Sequence, residues 1–168
     1  MIAVVVLALG GMFKAVSPGD TATALRGAGL PGWPVLVRAG GVFEIAVAVF
    51  ALATGNRAAA ALVLVSYLAF TGFVAVALKR ELPISSCGCF GKADTPPSIL
   101  HLVVNLAAAA AALAVMIDPG VAIADVVAVQ PLGGAPFLVL VATGVSLTFL
   151  TLTRLPRLLV TVRAMSAS

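Results

Sequence analysis

The 168-residue chain is 62% hydrophobic and only 10% charged, with a mean hydropathy of +1.20. A water-soluble domain is about 45–50% apolar and about 25% charged, so this composition excludes a cytosolic globular enzyme, a disordered protein and a small secreted disulfide scaffold. The net charge of +4 comes from 10 basic and 6 acidic residues that lie mostly between apolar runs. Such charges indicate orientation in a membrane rather than nucleic-acid binding.

Five apolar stretches reach or approach the roughly 17–25 residues that a transmembrane helix requires. The first is the shortest, and it lacks the basic start and the small-residue cleavage site of a signal peptide, so we expect a retained helix. The third contains no charged residue and gives the clearest prediction. The predicted spans are Met1–Val16, Pro34–Thr54, Ala58–Leu78, Ser98–Ile117 and Ala135–Thr153.

Three longer connections separate these spans. Ser17–Trp33 is rich in Gly and Pro and is predicted to be irregular, whereas residues 79–97 contain both cysteines of the chain. Pro119–Gly134 has no basic residue and is predicted to lie along the membrane interface. We expect the last helix to continue into the basic segment Arg154–Arg163.

The basic residues are distributed very unevenly over the connections. With five spans, nine of them fall on one side of the membrane and only Arg57 on the other. The positive-inside rule then predicts that the N-terminus lies outside and that the cysteine loop and the C-terminus are cytoplasmic. The nine residues are Lys14, Arg26, Arg38, Lys79, Arg80, Lys92, Arg154, Arg157 and Arg163.

The segment Cys87-Gly88-Cys89-Phe90-Gly91 is the main candidate for chemistry. Cysteines two positions apart can form a small disulfide ring that is strained, and strained disulfides are the reducible ones. Phe90 would shield the pair and Lys92 would favour the thiolate. Redox exchange, metal binding and a structural or vestigial role all remain open, although so short a loop makes a poor structural staple.

His101 is the only histidine and follows the cysteines at the start of the fourth span. Cys87, Cys89 and His101 would form a three-ligand site suited to a soft ion such as Cu(I), but nothing completes a closed zinc site, and we expect no bound metal. Alternatively, His101 is an interfacial residue or a general base for a cysteine. Asn105 lies one turn later on the same helix face.

Glu44 lies about ten residues into the second span, which at about 1.5 Å per residue places it near the bilayer centre. An ionisable group at that depth requires a partner or a function. Lys14, near the end of the first span, can reach toward Glu44 or extend to the surface. A structural ion pair and a proton or quinone site are the two interpretations. Gly40, one turn before Glu44, is predicted to allow close approach of another helix.

Four of these features together resemble the MauE family of methylamine-utilisation membrane proteins, within the broader DoxX-like group. They are the lysine that ends the first helix, the glutamate of Phe43-Glu44-Ile45-Ala46, the CGCFG segment and the asparagine of the fourth helix. The chain departs from the family pattern at Val104, where a basic residue is usual. The positions carried over are Lys14, Glu44, Cys87, Cys89 and Asn105.

The resemblance covers about residues 1–117 and implies an all-α integral membrane fold, a DoxX-like four-helix transmembrane bundle with a CxC loop at 79–97. Residues 118–168 would add an interfacial connection, a fifth C-terminal transmembrane helix and a basic tail. The resemblance also implies thiol–disulfide or electron transfer that supports maturation of envelope proteins. We expect a multi-pass protein of the bacterial inner membrane.

Two functional hypotheses follow. In the first, Cys87 and Cys89 form a thiol–disulfide oxidoreductase centre, supported by Phe90, with a thioredoxin-like protein as electron source. In the second, the chain is a non-catalytic accessory subunit of a larger membrane complex, such as an envelope lipid transporter or a respiratory assembly. Both predict other membrane proteins as partners and no nucleic acid. No cofactor is required, although a quinone is an alternative electron acceptor.

Overall fold

The computed structural model describes residues 1–82, 84, 95–156 and 158, and these residues form helices and no strand. A 3-10 turn at Pro131–Gly134 leads into the last helix. The helices are α1 (Ile2–Val16), α2 (Gly19–Gly27), α3 (Pro34–Thr54), α4 (Arg57–Lys79), α5 (Ile99–Ile117), α6 (Ile123–Val129) and α7 (Ala135–Thr153).

Four segments are long and apolar enough to cross a membrane: α3, α4, α5, and α7 with the turn before it. The chain is therefore a multi-pass helical membrane protein. Helix α1 has 15 residues, about 22 Å at ~1.5 Å per residue, which is shorter than the roughly 30 Å of the hydrocarbon core. Helix α1 meets the criteria of length and apolarity for a membrane span only together with α2, and the chain bends by 94° between these two helices.

The bounds predicted for the five apolar segments agree with those of α1, α3, α4, α5 and α7 to within one residue, because local signals end the helices. Pro34 occupies the first turn of α3, and Gly55 ends that helix with a φ of +59°, a left-handed conformation that glycine adopts without strain. The Asn56 side chain then accepts a hydrogen bond from the Ala59 N–H at 2.9 Å and caps α4.

The prediction of an irregular first connection is wrong, because α2 occupies its first half. Asp20 lies in the first turn of α2, where an acidic side chain favours the helix dipole. The helix ends in a Schellman motif: Gly29 has a φ of +75°, and the Leu30 N–H donates to the Leu25 carbonyl at 2.8 Å. Buried alanines at 22 and 24 hold α2 against the rest of the protein.

The bundle forms around two closely packed helix pairs, α1 with α3 and α4 with α5. Small residues let these helices approach, which is the usual packing mode where lipid supplies no hydrophobic driving force. Helix α7 packs against α1 and ends at Thr153. The predicted continuation of this helix into Arg154–Arg163 lies mostly outside the described residues. The central cluster consists of Leu7, Val47, Val63, Tyr67, Ala109 and Ala112.

Candidate functional site

Lys14 and Glu44 form a buried ion pair between α1 and α3. The Lys14 Nζ atom lies 2.7 Å from each carboxylate oxygen of Glu44, and the two side chains are 9% and 10% exposed. The ammonium group also lies 4.5 Å from the centroid of the Phe70 ring, a cation–π contact. Mutual neutralisation and these contacts reduce the cost of holding two charges away from water.

Helices α1 and α3 cross at one glycine in each helix, which brings them close enough for the ion pair to form. A Cβ atom on Gly41 would lie only 2.6 Å from the Gly11 carbonyl oxygen, and one on Gly11 would lie equally close to the Gly41 carbonyl oxygen. The prediction that Gly40 permits the close approach is wrong, since a Cβ there would meet no atom within 4 Å. Gly40 faces a cavity instead.

His101 and Asn105 are both buried in α5, and they line the same small cavity as Lys14 and Glu44. The cavity measures about 20 Å³, enough for one water molecule. His101 is only 1% exposed, and its Nδ1 atom lies 2.8 Å from the Ser98 hydroxyl. His101 is therefore enclosed by protein near the start of α5. The structure brings together four of the predicted polar residues from three helices.

Ile84 and Thr95, the described residues on either side of the two cysteines, are both buried. Ile84 packs with Ala24 of α2 and Ala77 of α4. The Thr95 hydroxyl donates to the Leu152 carbonyl at 2.9 Å, near the C-terminal end of α7. Both ends of the loop are therefore held at the end of the bundle where α4 ends and α5 begins. The sequence carried no signal for the Thr95 contact, which depends on α7 lying beside the loop.

The loop residues predicted to carry chemistry lie outside the described residues; they are Cys87, Cys89, Phe90 and Lys92. Their predicted roles, including the alternative of a metal site shared with His101, stay predictions. Among the residues that the structure describes, no three His, Cys, Asp or Glu side chains form a group able to hold a metal ion.

A larger cavity of about 370 Å³ lies on the other side of the ion pair, between α2, α3 and α4. Lys14 and Glu44 form part of its wall, and Phe70 and Phe73 contribute aromatic rings. The remaining lining is largely apolar. Sequence reasoning missed this cavity because one of its walls is α2, which was not predicted. Its other lining residues are Thr21, Ala24, Leu25, Leu30, Leu36, Val37, Gly40, Ala69 and Val74.

The fold and these contacts define a multi-pass helical membrane protein with a buried polar cluster near the anchored ends of a cysteine-containing loop. Residues 1–118 match the family model described as methylamine utilisation protein MauE, and the chain belongs to this family. The resemblance noted from the sequence is thereby confirmed. The match ends just after α5, so α6 and α7 lie beyond it. No curated protein and no solved structure matches the chain.

Proposed function

We propose that this protein is a membrane thiol–disulfide oxidoreductase whose Cys87–Cys89 pair takes electrons from a thioredoxin-like protein and supports maturation of envelope proteins. As a member of the MauE family, it would perform this role in methylamine utilisation. The observation that carries the proposal is the buried cluster of Lys14, Glu44, His101 and Asn105 at a single cavity. Ionisable groups in a membrane interior usually have a function.

Chain connectivity supports a location of the cysteines near this cluster. In the sequence, Cys87 follows the buried Ile84 by three residues. Ile84 packs against Ala24 and Ala77, and Phe73 contacts the same group of residues. Phe73 also lines the larger cavity that the ion pair borders.

The exchange proceeds in two steps that conserve electrons. A thiolate of the thioredoxin-like partner attacks one sulfur of the Cys87–Cys89 disulfide, forming a mixed disulfide and releasing the other cysteine as a thiolate. The second partner thiolate then attacks the mixed disulfide. The partner leaves oxidised, and the Cys87–Cys89 pair has gained two electrons and, on protonation, two protons. Glu44 and His101 are the buried ionisable residues that can exchange protons through the small cavity.

Trapping of the mixed disulfide tests this proposal. With reduced thioredoxin, we expect wild-type protein in detergent to be reduced. With thioredoxin that lacks its resolving cysteine, either Cys87→Ser or Cys89→Ser, pre-oxidised with glutathione, should accumulate a covalent adduct on non-reducing gels. The double variant should form none while unfolding at the wild-type temperature. A redox titration should give a reduction potential above about −300 mV, because structural disulfides have potentials below this value. Cysteines that stay reduced in strongly oxidising glutathione buffers would contradict the proposal.

The second candidate function is a non-catalytic accessory subunit, and α7 favours it. This helix lies outside the family match, and only 6% of its span is buried within the protein. Its outer surface can therefore contact another membrane protein as well as lipid. Purification in mild detergent tests this second function. An accessory subunit that binds through α7 should copurify in a stable complex, and deletion of residues 135–168 should dissociate it. A complex that survives the deletion would remove the reason for assigning α7 this role.

A further inference from the structure

We infer that the small polar cavity of the bundle binds one ordered water molecule, which Asn105 positions against the Glu44 carboxylate. Residues of α1, α3, α4, α5 and α7 line this cavity. Its volume of about 20 Å³ exceeds the roughly 10–15 Å³ that one water molecule requires and leaves no room for a larger ligand. The site does not rest on the proposed disulfide exchange, because no residue of the cysteine loop takes part in it.

Asn105 supplies the first polar group for the water. Its side chain is only 7% exposed and forms part of the cavity wall. Within the described part of the chain, this side chain makes no hydrogen bond to another residue. Buried amides are nearly always hydrogen-bonded, either to protein or to ordered water. The amide has one acceptor oxygen and two N–H donors, so it can bond to a water molecule in either of its two orientations.

Glu44 supplies the second polar group. Each of its carboxylate oxygens accepts a hydrogen bond from Lys14, whereas an ionised carboxylate has about four acceptor positions. Glu44 therefore retains acceptor capacity, and it lies on the same cavity wall as Asn105. The water donates to this carboxylate, so the site requires no further bond from the Lys14 ammonium group. A buried water typically makes about two to four hydrogen bonds, and these two residues supply that minimum.

The remaining wall selects a neutral ligand and keeps it in place. Lys14 and Glu44 already neutralise each other, so an ion in the cavity would bring an unbalanced charge into the membrane interior. Leu7 of α1 and Leu152 of α7 also line the cavity, and they are only 2% and 4% exposed. These two buried leucines close the cavity on the sides of α1 and α7. Water is the neutral polar molecule that is small enough for this space.

The water joins the two closely packed helix pairs of the bundle. Glu44 belongs to the pair formed by α1 and α3, and Asn105 belongs to the pair formed by α4 and α5. A water between these two side chains therefore connects the ion pair to α5, the helix that follows the cysteine loop. It also hydrates Glu44, to which the proposed function assigns proton exchange, and only this last point rests on that function.

Selective labelling of asparagine with nitrogen-15 tests the inference, because the chain contains only two asparagines, Asn56 and Asn105. In the full-length protein in detergent, nuclear Overhauser contacts are measured between the side-chain amide protons and water. We expect Asn105 to contact a long-lived water, whereas the exposed Asn56 should contact only bulk water. Asn56→Ser assigns the two signals, since serine also caps a helix well.

A matched pair of variants locates this water. Val104 lines the cavity, whereas the adjacent Val103 is 56% exposed. Val104→Ile fills the cavity and should abolish the contact at Asn105, and Val103→Ile should keep it. If Val104→Ile does not fold, Lys14→Met/Glu44→Leu takes its place, because it removes the polar partner and leaves an apolar pair.

Absence of the Asn105 contact in the wild type, or its persistence in the variant that fills or depolarises the cavity, would overturn the inference. The Cys87→Ser/Cys89→Ser protein should retain the contact. A bound water in a protein whose cysteine pair is inert would refute only the proposed function, whereas disulfide exchange in a protein without the water contact would refute only this inference.

Discussion

At the scale of single residues, the ion pair of Lys14 and Glu44 is the most constrained feature of the protein. Both side chains are buried, and each depends on the other for neutralisation. Lys14 lies two residues before the end of α1, so it has a short route to the membrane surface if its partner is lost. Glu44 lies in the middle of α3 and has no such route.

We therefore expect Lys14→Met to reduce stability more than Glu44→Gln. Removing one member of a buried ion pair costs about 3–5 kcal/mol, and the lysine variant should lie at the upper end of this range. The combined Lys14→Met/Glu44→Gln variant should be more stable than the sum of the single effects predicts. Thermal unfolding in detergent measures all four proteins. Single variants that unfold like the wild type would show that the pair contributes nothing to stability.

At the scale of helices, the contact between α1 and α3 depends on one glycine in each helix. Gly41 lies against the α1 backbone, with Lys14 and Ala15 near it as well as Gly11. The adjacent Gly40 lies on the cavity side of the same helix. Two neighbouring glycines thus have different roles, one in helix packing and the other in leaving space.

This difference predicts opposite effects for the same substitution. Alanine at either position gains helix propensity of about 1 kcal/mol. At Gly41 the added Cβ atom also pushes against backbone, and such overpacking costs about 1–3 kcal/mol. Gly41→Ala should therefore be less stable than Gly40→Ala in the same unfolding assay, and Gly40→Ala should match or exceed the wild type. The reverse order would show that α1 and α3 do not cross at these glycines.

At the scale of the whole molecule, the helix order places the ends of the cysteine loop and helix α2 at one end of the bundle. The opposite end carries the α3–α4 turn and the end of α5. We predict that the cysteine end is cytoplasmic, because among the described residues six basic side chains belong to helix ends and connections on that side and only Arg57 to the other.

A membrane-impermeant maleimide should therefore fail to label Cys87 and Cys89 in intact cells and should label them after lysis under reducing conditions. As the matched control, Asp118→Cys in a cysteine-free background lies at the other end and is exposed, so it should be labelled in intact cells. Labelling of the native cysteines before lysis would reverse the orientation.

The sequence predicted the spans well, because long apolar runs and their ends are local properties. Pro34, Gly55 and Asn56 determine helix ends through backbone geometry and hydrogen bonds to near neighbours. Helix α2 escaped prediction, although Asp20 and Gly29 are recognisable signals for its two ends. Its short length and its Gly and Pro neighbours resemble those of a loop.

The sequence by itself also determined that Glu44 needed a partner, because an ionisable group at that depth is costly in any membrane helix. It could not determine which glycine permits the pairing, since Gly40 and Gly41 differ only in the direction each faces. Only the tertiary structure decided that Gly41 faces α1, that Glu44, Lys14, His101 and Asn105 share one cavity, and that α2 encloses a second cavity beside them. The physical reason is that hydropathy and capping act over one or two turns, whereas cavities and ion pairs depend on how distant helices rotate and cross.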